Sequence, residues 1–536
     1  MQQQKKYYDQ FFTKYPVNVH DYPDRFNSVA KLLSGKVLDV ACGTGTLAEY
    51  YAGNYVGVDI SDVAINKAKA SRRRDARFAV ADFTKSICFN EYDFESVYLG
   101  EFLEHIESDK KVFDNILKHC KKNARIVVSV PNGERVPDES HCRNFTVPQI
   151  RREYSKYGKV VFHNWSGFQK RILFSIELGA PSVEEMSLVM IVKNEEKGLE
   201  KAILSAIEIV DHIVISVDSK SQDNTEKIAN LYADQLKTHE WHDDFSEARN
   251  FAQKDVKSKW ILFLDGHEYI ESYGDYKEKM EFDVEGIFVT IRMESGMTFF
   301  FPRIYRSHIK FKNKIHNLNE CKTRKASPKF VIVHDRVHGQ DEKSAQSRNQ
   351  QRDEIMPKQL KEDIEKNPKN PRPHFHLANY YMMNHNIDGA MYHYKKAIKY
   401  ENSLDEKYLC LLHYGALHQS KGHSFRALWN FNKADQLLPG RWESARTLGG
   451  FYLLQKNYKR AIPYLFEAFK PNKRLYSYQP MQKDESAIWD LIGTCFTKLD
   501  KFSEAQSAFQ NASDKCTDEN HKKLFKQKAD LLKNVC

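Results

Sequence analysis

The chain lacks the long apolar runs and the paired cysteines that mark several classes of protein. No stretch of its 536 residues approaches the roughly 20 apolar residues that cross a bilayer. The first residues, MQQQKKYYDQFF, hold no apolar segment followed by a small-residue cleavage site, so we expect no secretion signal. Nine cysteines are scattered from Cys42 to Cys536 without a CxxC pair, which argues against a structural zinc site. These absences predict a cytoplasmic protein.

A strong charge of one sign is also missing. The formal net charge of +10 is modest for this length, and basic runs such as SRRRD are short. Such runs are more often solvated surface than binding patches, and no nucleic-acid recognition motif accompanies them. The charge therefore argues against nucleic acid as a partner. A chain of this length is too large for one core and predicts about three domains.

The periodicity of apolar residues divides the chain into three segments. Short strands rich in β-branched residues alternate with helical stretches near residues 35–135, and a second such series starts at SLVMIVKNEE. This alternation is typical of parallel sheets covered by helices. From about Lys358 onward the pattern is helical. We therefore predict two α/β domains and an all-α region, with boundaries at 1–180, 185–345 and 355–536.

The helical segment contains a repeat. A small residue is followed by Ala at +12 and at +19 in four copies: Ala378/Ala390/Ala397, Gly415/Ala427/Ala434, Gly449/Ala461/Ala468 and Gly493/Ala505/Ala512. A larger residue follows each middle Ala by four positions: Tyr394, Phe431, Leu465 and Phe509. Small residues at this spacing let two helices cross closely. The pattern resembles tetratricopeptide (TPR) repeats, which stack into a solenoid with a binding surface.

The segment VLDVACGTGTLAEYY places a strand and a glycine-rich turn before a helix. Glycines at such a turn let the backbone approach a ligand closely. Later strands end in acidic residues, in VGVDIS and VADF. Together these motifs resemble class I S-adenosylmethionine (SAM)-dependent methyltransferases over residues 25–175, which implies a Rossmann-like domain. The resemblance implies that SAM is bound by Asp39, Gly43 and Gly45 at its methionine part, by Asp59 at the ribose, and by Asp82 with Phe83 at the adenine.

The sequence says less about the residues that face the methyl acceptor. GEFLEHIE follows the fourth strand, and SHCRNFTVPQIRREYSKYG is similar to a His-x-Arg-x-Phe-Thr segment of the same family. The resemblance makes Glu104 and His105 candidate catalytic residues, with His105 or His141 as a base. A packed or surface role for each histidine is an equal alternative. Residues 1–24, rich in Tyr and Phe, are a candidate lid.

The second α/β series resembles family 2 glycosyltransferases with the GT-A fold. The similarity includes the opening strand, the strand that ends at Asp218, and EWHDDFSEARNFAQKDVKSKWILFLDGHEYI. It covers residues 185–345 and implies a nucleotide-sugar donor and inversion at the transferred sugar. By resemblance, Asp218 contacts the nucleoside, Asp243, Asp244 and Arg249 flank the donor, and Asp265 binds ribose or metal.

Family members usually carry a second carboxylate two residues after the strand-end aspartate, where this chain has His267. One reading makes Asp265 and His267 the ligands of a divalent cation, Mn²⁺ or Mg²⁺, because imidazole suits Mn²⁺ or a later transition metal, although less well than a carboxylate suits hard cations. In a second reading His267 touches the donor diphosphate directly. In a third the site is inactive and the domain only binds. Retained activity is favoured because the matching residues are all in place: Asp218, Arg249, Asn250, Asp265 and Glu268.

The base that activates the acceptor hydroxyl is open among Glu268, His316 and Glu320. For the whole chain, the motifs predict a bifunctional transferase acting on a protein, peptide or glycan acceptor, with repeats that bind the acceptor or form an oligomer. Two alternatives stay open: a scaffold with one vestigial catalytic domain, and a glycosyltransferase that modifies nucleic acid.

Overall fold

Two strand-rich regions are followed by helical hairpins in the structure, a computed structural model. It describes residues 2–14, 23–71, 74–85, 90–180, 185–294, 298–313, 318–319, 321–335, 355–401, 403–470, 483–516 and 518–533. The chain forms two compact units. The first contains Met1–Asp243, Glu247–Glu271 and Arg303–Phe311, and the second contains Asp244–Ser246, Ser272–Pro302 and Lys312–Cys536. The three predicted domain boundaries stay a prediction.

A seven-stranded sheet forms the N-terminal part of the first unit. Its strands are β1 (Val37–Val40), β2 (Tyr55–Asp59), β3 (Arg77–Val80), β4 (Phe94–Gly100), β5 (Cys120–Pro131), β6 (Gly158–Phe162) and β7 (Arg171–Leu178). Their order is β3-β2-β1-β4-β5-β7-β6, and β7 runs antiparallel to β5 and β6. The order reverses direction between β1 and β4. The carboxyl ends of these two strands therefore open a crevice, which is where ligands bind in such sheets.

Helices cover this sheet because each has an apolar face. They are α1 (Gln2–Lys14), α2 (Pro23–Leu32), α3 (Asp62–Ser71), α4 (Lys110–His119) and α5 (Val147–Tyr154), with short 3₁₀ helices at Thr46–Glu49, Leu103–His105 and Gly133–Arg135. In α4, Val112, Phe113 and Ile116 recur at helical spacing and are fully buried, while Lys110 and Asp114 face solvent.

A second series of strands begins after residue 185. They are β8 (Met186–Val192), β9 (His212–Asp218), β10 (Gln235–His239), β11 (Trp260–Phe263), β12 (Glu268–Tyr273), β13 (Gly286–Met293), β14 (Thr298–Arg306), β15 (Phe311–Lys312), β16 (Leu318–Asn319) and β17 (Arg324–His334). Within the first unit, β9 lies between β10 and β8, and β11 lies on the other side of β8, all parallel. This order again reverses direction, now between β8 and β11, and again creates a crevice at their carboxyl ends.

The helices of this region are α6 (Leu199–Ala206), α7 (Thr225–Tyr232), α8 (Phe245–Ala252) and α9 (Tyr276–Met280). β11 is fully buried and pairs antiparallel with the Ile304–Arg306 end of β14. In the second unit, β13 pairs in parallel with β17, with a register shift between Val289 and Thr290. Mixed α/β sheets in both regions confirm the predicted fold class.

The C-terminal part is helical, as predicted. Its helices are α10 (355–366), α11 (Pro371–Met383), α12 (Ile387–Tyr400), α13 (Leu404–Ser420), α14 (Ser424–Leu437), α15 (Trp442–Leu454), α16 (Tyr458–Glu467), α17 (Glu485–Thr497), α18 (Phe502–Lys515) and α19 (Glu519–Lys533). A Cβ at Gly415 would lie 2.5 Å from Phe431, and one at Gly449 would lie 2.6 Å from Leu465. The small and large residues of the repeat therefore meet where paired helices cross. The alanines of the repeat are fully buried.

Two further features of the described residues concern membrane spans and cysteines. Within them, no helix combines the length and the apolar character of a membrane span. The cysteines found there are free: Cys42, Cys120, Cys142, Cys321, Cys410, Cys495 and Cys516. The predicted cytoplasmic location stays a prediction.

Candidate functional site

The loop after β1 forms a cradle at the first crevice. Ala41, Gly43 and Gly45 have φ angles of 62°, 53° and 72°, in the left-handed region that favours glycine. Ala41 adopts this region without being glycine, a strain that is commonly found at functional sites. A Cβ at Gly45 would lie 2.5 Å from the Phe78 ring. Position 45 therefore requires glycine for two reasons, its backbone angle and its close contact.

Acidic residues of neighbouring strands fix this cradle. Asp59, at the end of β2, accepts hydrogen bonds from the backbone N–H groups of Gly43 and Ser61, both at 2.9 Å. Burial raises the pKa of Asp59, and these two N–H donors oppose the rise. Asp39 lies within β1 and accepts a hydrogen bond from the Tyr55 hydroxyl. Both predicted residues therefore lie at the cradle, and Asp59 joins it to β2.

The two residues predicted to contact adenine lie beyond β3. Asp82 accepts hydrogen bonds from the Thr84 N–H and hydroxyl and pairs with Lys85 at 2.7 Å. Although burial alone would raise it, the pKa of Asp82 is lowered by these partners. Phe83 is buried, and its carbonyl accepts a hydrogen bond from Asn115 at 2.9 Å. Together with these two residues, the left-handed glycine loop after β1 and the buried carboxylate of Asp59 fit SAM.

Helix α1 lies beside the same crevice. Its Asp9 accepts a hydrogen bond from the Ser61 hydroxyl at 2.6 Å, and the Phe12 carbonyl accepts one from Lys67 at 2.6 Å. Tyr8 is near enough to Asp59 and Glu104 that, after burial, their charges help to raise the pKa of its hydroxyl. The segment predicted as a lid therefore contributes a phenol, that of Tyr8, on which the charges of both carboxylates act.

Glu104, His105 and His141 come together at the end of β4. One potential ligand atom of each lies within 4.8 Å of the others. Glu104 is 1% exposed, and burial, followed by the charge of Glu101, raises its pKa well above the usual value. The His105 Nδ1 donates to the Ser140 carbonyl at 3.2 Å, and burial lowers the pKa of His105. His105 is therefore a neutral imidazole at physiological pH.

At the second crevice, Asp218 closes β9. Its Oδ1 accepts the Lys220 N–H at 2.7 Å, and its Oδ2 pairs with Lys193 at 2.9 Å. Burial by itself would raise its pKa, but these donors lower it, so Asp218 is ionised. Lys193 follows β8 directly and was not recognised in the sequence. A lysine after an apolar strand has no distinguishing spacing.

Asp265 lies between two arginines. Its Oδ1 accepts from Arg249 at 3.1 Å and its Oδ2 from Arg303 at 3.4 Å. Arg303 also pairs with Glu268, whose second oxygen accepts the Asp265 N–H at 3.0 Å. Burial lowers the pKa of Arg249, and the charge of Asp265 opposes that effect. The strand-end aspartate is thus part of a buried ion-pair network.

His267 pairs with a residue that follows β8. Its Nδ1 lies 3.1 Å from Glu195 Oε1, and the two are 72 positions apart in the chain. Burial alone would lower the pKa of His267, but Glu195, Asp265 and Glu268 raise it. A Cβ at Gly266 would lie 2.7 Å from Glu195 Cγ, so glycine there permits this pairing. Glu195 was missed in the sequence because its partner is distant.

These contacts bear on the predicted Mn²⁺ or Mg²⁺ ion. Hard cations require several oxygen ligands, yet both Asp265 oxygens accept from guanidinium groups and His267 pairs with Glu195. Among the described residues, the group able to offer three metal ligands lies at Glu104 and not here. The arrangement of Asp265 and His267 does not fit such an ion, and the metal assignment stays a prediction.

The structure describes only some of the remaining predicted residues. Asp244 is partly exposed, next to Asp243, whose φ of 57° is also left-handed. His316 and Glu320 lie outside the described residues. Glu268 is 1% exposed and held by Arg303, which favours a positioning role. Its predicted role as a base stays a prediction, as does that of His316.

Two families of known proteins match the chain, one in each of the two strand-rich regions. Residues 38–128 match the family described as Methyltransferase domain. Residues 187–374 match the family described as Glycosyl transferase family 2. The first match contains the cradle and Glu104, and the second contains Asp218, Asp265 and His267.

Individual relatives are similar over parts of the chain. A TPR repeat-containing protein of Synechococcus elongatus is 31% identical over 26% of this chain and 36% of its own length. A demethylmenaquinone methyltransferase of Renibacterium salmoninarum is 30% identical over 19% of this chain and 44% of its own length. The chain thus spans less than half of each of these relatives.

A solved structure described as the DhpI–SAH complex shares 14% identity, with a TM-score of 0.28, over 33% of this chain and 96% of its own. That similarity is too low to indicate function. The two family matches show that the chain contains a methyltransferase domain and a family 2 glycosyl transferase domain.

Proposed function

We propose that the chain is a bifunctional transferase. It transfers a methyl group from SAM at the first crevice and a glycosyl group, with inversion, from a nucleotide-sugar at the second. The acceptor is a protein or a glycan. One observation carries this proposal: both crevices lie where the strand order reverses, and residues at the ends of strands line each of them. These are the left-handed glycine loop with Asp59 at the first crevice and Asp218 at the second.

At the first crevice, Gly43 and Gly45 shape the loop that receives the cofactor, and Asp59 holds the loop and faces the ribose. SAM supplies an electrophilic methyl group. Methyl transfer then depends mainly on alignment of the acceptor nucleophile with this methyl group, so the role of Gly43, Gly45 and Asp59 is to position the cofactor. The neutral His105 imidazole is suited to accept a proton from the methyl acceptor.

At the second crevice, the ionised Asp218 suits a nucleoside, as the family resemblance implies. The leaving diphosphate gains negative charge, which preorganised positive groups stabilise. Arg249 and Arg303 are held in place by Asp265, and His267 is biased toward its protonated form. Each of these groups is paired with a carboxylate, and each would donate charge-assisted hydrogen bonds to the diphosphate without a step through a metal ion.

The two strand-rich regions also contact each other within the first unit. Arg151 on α5 pairs with Asp234 and donates to the Val210 carbonyl at 3.1 Å. Lys159 on β6 pairs with Asp211 at 3.0 Å. A fixed junction keeps the product of one site near the other and raises its effective concentration. This supports methylation of the transferred sugar or of its acceptor.

The helical repeats supply acceptor binding or oligomer formation. Phe425 and Trp429 lie one turn apart on α14 and are 83% and 50% exposed. Adjacent exposed aromatic side chains are typical of surfaces that bind protein.

The methyltransferase part is tested by thermal shift with S-adenosylhomocysteine. Wild type should be stabilised because the ligand binds only the folded form. Gly45→Ala should lose this shift, whereas Gly422→Ala is the matched control: its φ of 76° is similar, but no atom lies near its Cβ. An unchanged shift in Gly45→Ala would contradict the cofactor site.

The glycosyltransferase part is tested by nucleotide-sugar turnover, with Asp218→Asn, Asp265→Asn and His267→Asp as variants. Wild type should turn over at least one donor, and Asp265→Asn should reduce that rate. Absence of both binding and turnover for all donors would favour the scaffold alternative. Methylated product found only on acceptors that never carry sugar would argue against coupling of the two activities.

A further inference from the structure

We propose that Glu104, His105 and His141 form a binding site for one divalent first-row transition-metal ion. The site lies beside the cofactor cradle, on the 3₁₀ helix that follows β4 and on the loop that contains His141. The proposal does not depend on the cofactor site, but it replaces the proposed role of His105 as a base, because one ring nitrogen cannot bind a metal and accept a proton at the same time.

The first observation is the grouping itself. One ligand atom from each of the three side chains lies within 4.8 Å of the other two. Two segments are joined to achieve this, because the Glu104 carbonyl accepts the backbone N–H of Cys142 at 2.7 Å and that of Arg143 at 3.3 Å. The histidine from the loop is therefore held next to the pair from the 3₁₀ helix.

The second observation is independent of the grouping and concerns Glu104. Its side chain is almost completely buried, yet neither of its carboxylate oxygens accepts a hydrogen bond from a described residue. A buried carboxylate without partners is costly, and such groups are usually paired or bind metal. Nearby Arg25 and Arg171 are both engaged with Glu101, at 3.4 Å and 2.7 Å. A cation between Glu104 and the histidines would satisfy the carboxylate.

The third observation is the tautomer of His105. The Ser140 carbonyl and hydroxyl both lie 3.2 Å from His105 Nδ1. The hydroxyl donates to Asp138, and the carbonyl can only accept, so this arrangement assigns the proton to His105 Nδ1. Its Nε2 then carries the lone pair, as in histidines that bind metal through Nε2 and donate through Nδ1. Asp138 holds Ser140 in turn, accepting its N–H at 2.8 Å and its hydroxyl at 2.6 Å. This tautomer leaves on Nε2 the lone pair that a metal ligand requires.

The ligand set indicates the class of ion. Two imidazoles and one carboxylate suit zinc, cobalt, iron or manganese in the divalent state better than calcium or magnesium. Three protein ligands leave coordination positions for water or for an oxygen of a bound molecule. The two histidines are only partly buried, which gives the ion a route from solvent.

The test uses the full chain, freed of metal with a chelator and titrated with Co²⁺. Visible absorption reports coordination of Co²⁺, and the melting temperature reports binding to the folded form. Wild type should bind one equivalent. Glu104→Gln and His141→Gln should each weaken binding by more than about 10-fold, since even changes around metal ligands cost that much. His521→Gln is the control, because His521 is an exposed histidine beside Asp518 on another part of the chain.

The thermal shift with S-adenosylhomocysteine is recorded for each variant and shows whether the domain has folded. If Glu104→Gln does not fold, His141→Gln decides, because its side chain is partly exposed on a loop. The proposal is overturned if wild type shows no saturable Co²⁺ binding, or if a folded His141→Gln binds Co²⁺ as wild type does. Neither result affects S-adenosylhomocysteine binding, so the cofactor proposal is judged separately.

Discussion

Glu104 and Glu268 occupy similar places in two different sheets. Each follows the strand next to the point where strand order reverses, β4 for Glu104 and β11 for Glu268, and each is 1% exposed. Glu268 is paired with Arg303 and accepts a backbone N–H. Neither oxygen of Glu104 accepts a hydrogen bond from a described residue.

This difference separates two uses of a buried carboxylate. A paired one, like Glu268, fixes its neighbours, because removing it would leave Arg303 buried without its partner. An unpaired one, like Glu104, costs folding free energy that a bound ligand can recover. Burial alone would have given both residues the same interpretation, and the pairing distinguishes them.

The largest expected effect is the loss of the paired arrangement. Arg303→Met should destabilise the region around β11 by about 3–5 kcal/mol, because it leaves the buried Glu268 and the partly exposed Asp265 with less compensation. Hydrogen exchange of the β11 and β14 amides measures this local free energy. The double variant Arg303→Met/Glu268→Gln should recover part of the loss, and a single variant that loses less than about 1 kcal/mol would show the network to be weak.

The next effect tests the comparison directly. In the presence of a chelator and at a pH high enough to ionise Glu104, whose pKa is raised by burial, Glu104→Gln should be stabilised by about 1–2 kcal/mol, because an unpartnered charge is removed. Glu268→Gln should be destabilised by a similar amount or more. Thermal melts of both variants in one buffer are sufficient. Destabilisation of both would mean that Glu104 is paired in the folded protein.

A pH effect is expected at His267. Its pKa is raised above the ordinary 6.5, so its protonated form contributes below that pH and is lost as the pH rises through the raised value. Binding of a nucleoside diphosphate should therefore weaken with rising pH by up to about 10-fold, as measured by calorimetry. His267→Gln should flatten this dependence, and the exposed His242→Gln should preserve it.

The smallest effect concerns a paired carboxylate at the surface. Asp114 pairs with Lys110 one helical turn away on α4, and both are largely exposed. Asp114→Asn should change stability by no more than about 0.5 kcal/mol, because solvent screens the pair. A loss as large as that in Arg303→Met would show that pairing matters regardless of burial.

Much of the fold could be predicted from local sequence. The strands before Ala41 and Asp265, the glycines of the cradle and the four helical repeats are encoded by residues near one another in the chain. The structure confirms the α/β sheets and the helical C-terminal part. Family matches confirm both transferase domains.

The site could be predicted only in part. Asp59 and Asp218 were found because strand-end aspartates have a recognisable context. Glu195 and Lys193 were missed, since their importance depends on partners that belong to other strands. Roles for His316 and Glu320 fall on residues that the structure does not describe.

The sequence by itself determined which side chains stand at the ends of the strands, because apolar alternation and turn glycines act over a few residues. Only the tertiary structure decided which of them meet: Glu195 with His267, Arg303 with Glu268, and His141 with Glu104. The physical reason is that strand order and loop return, which bring distant residues to one edge of a sheet, are set by packing of the whole domain.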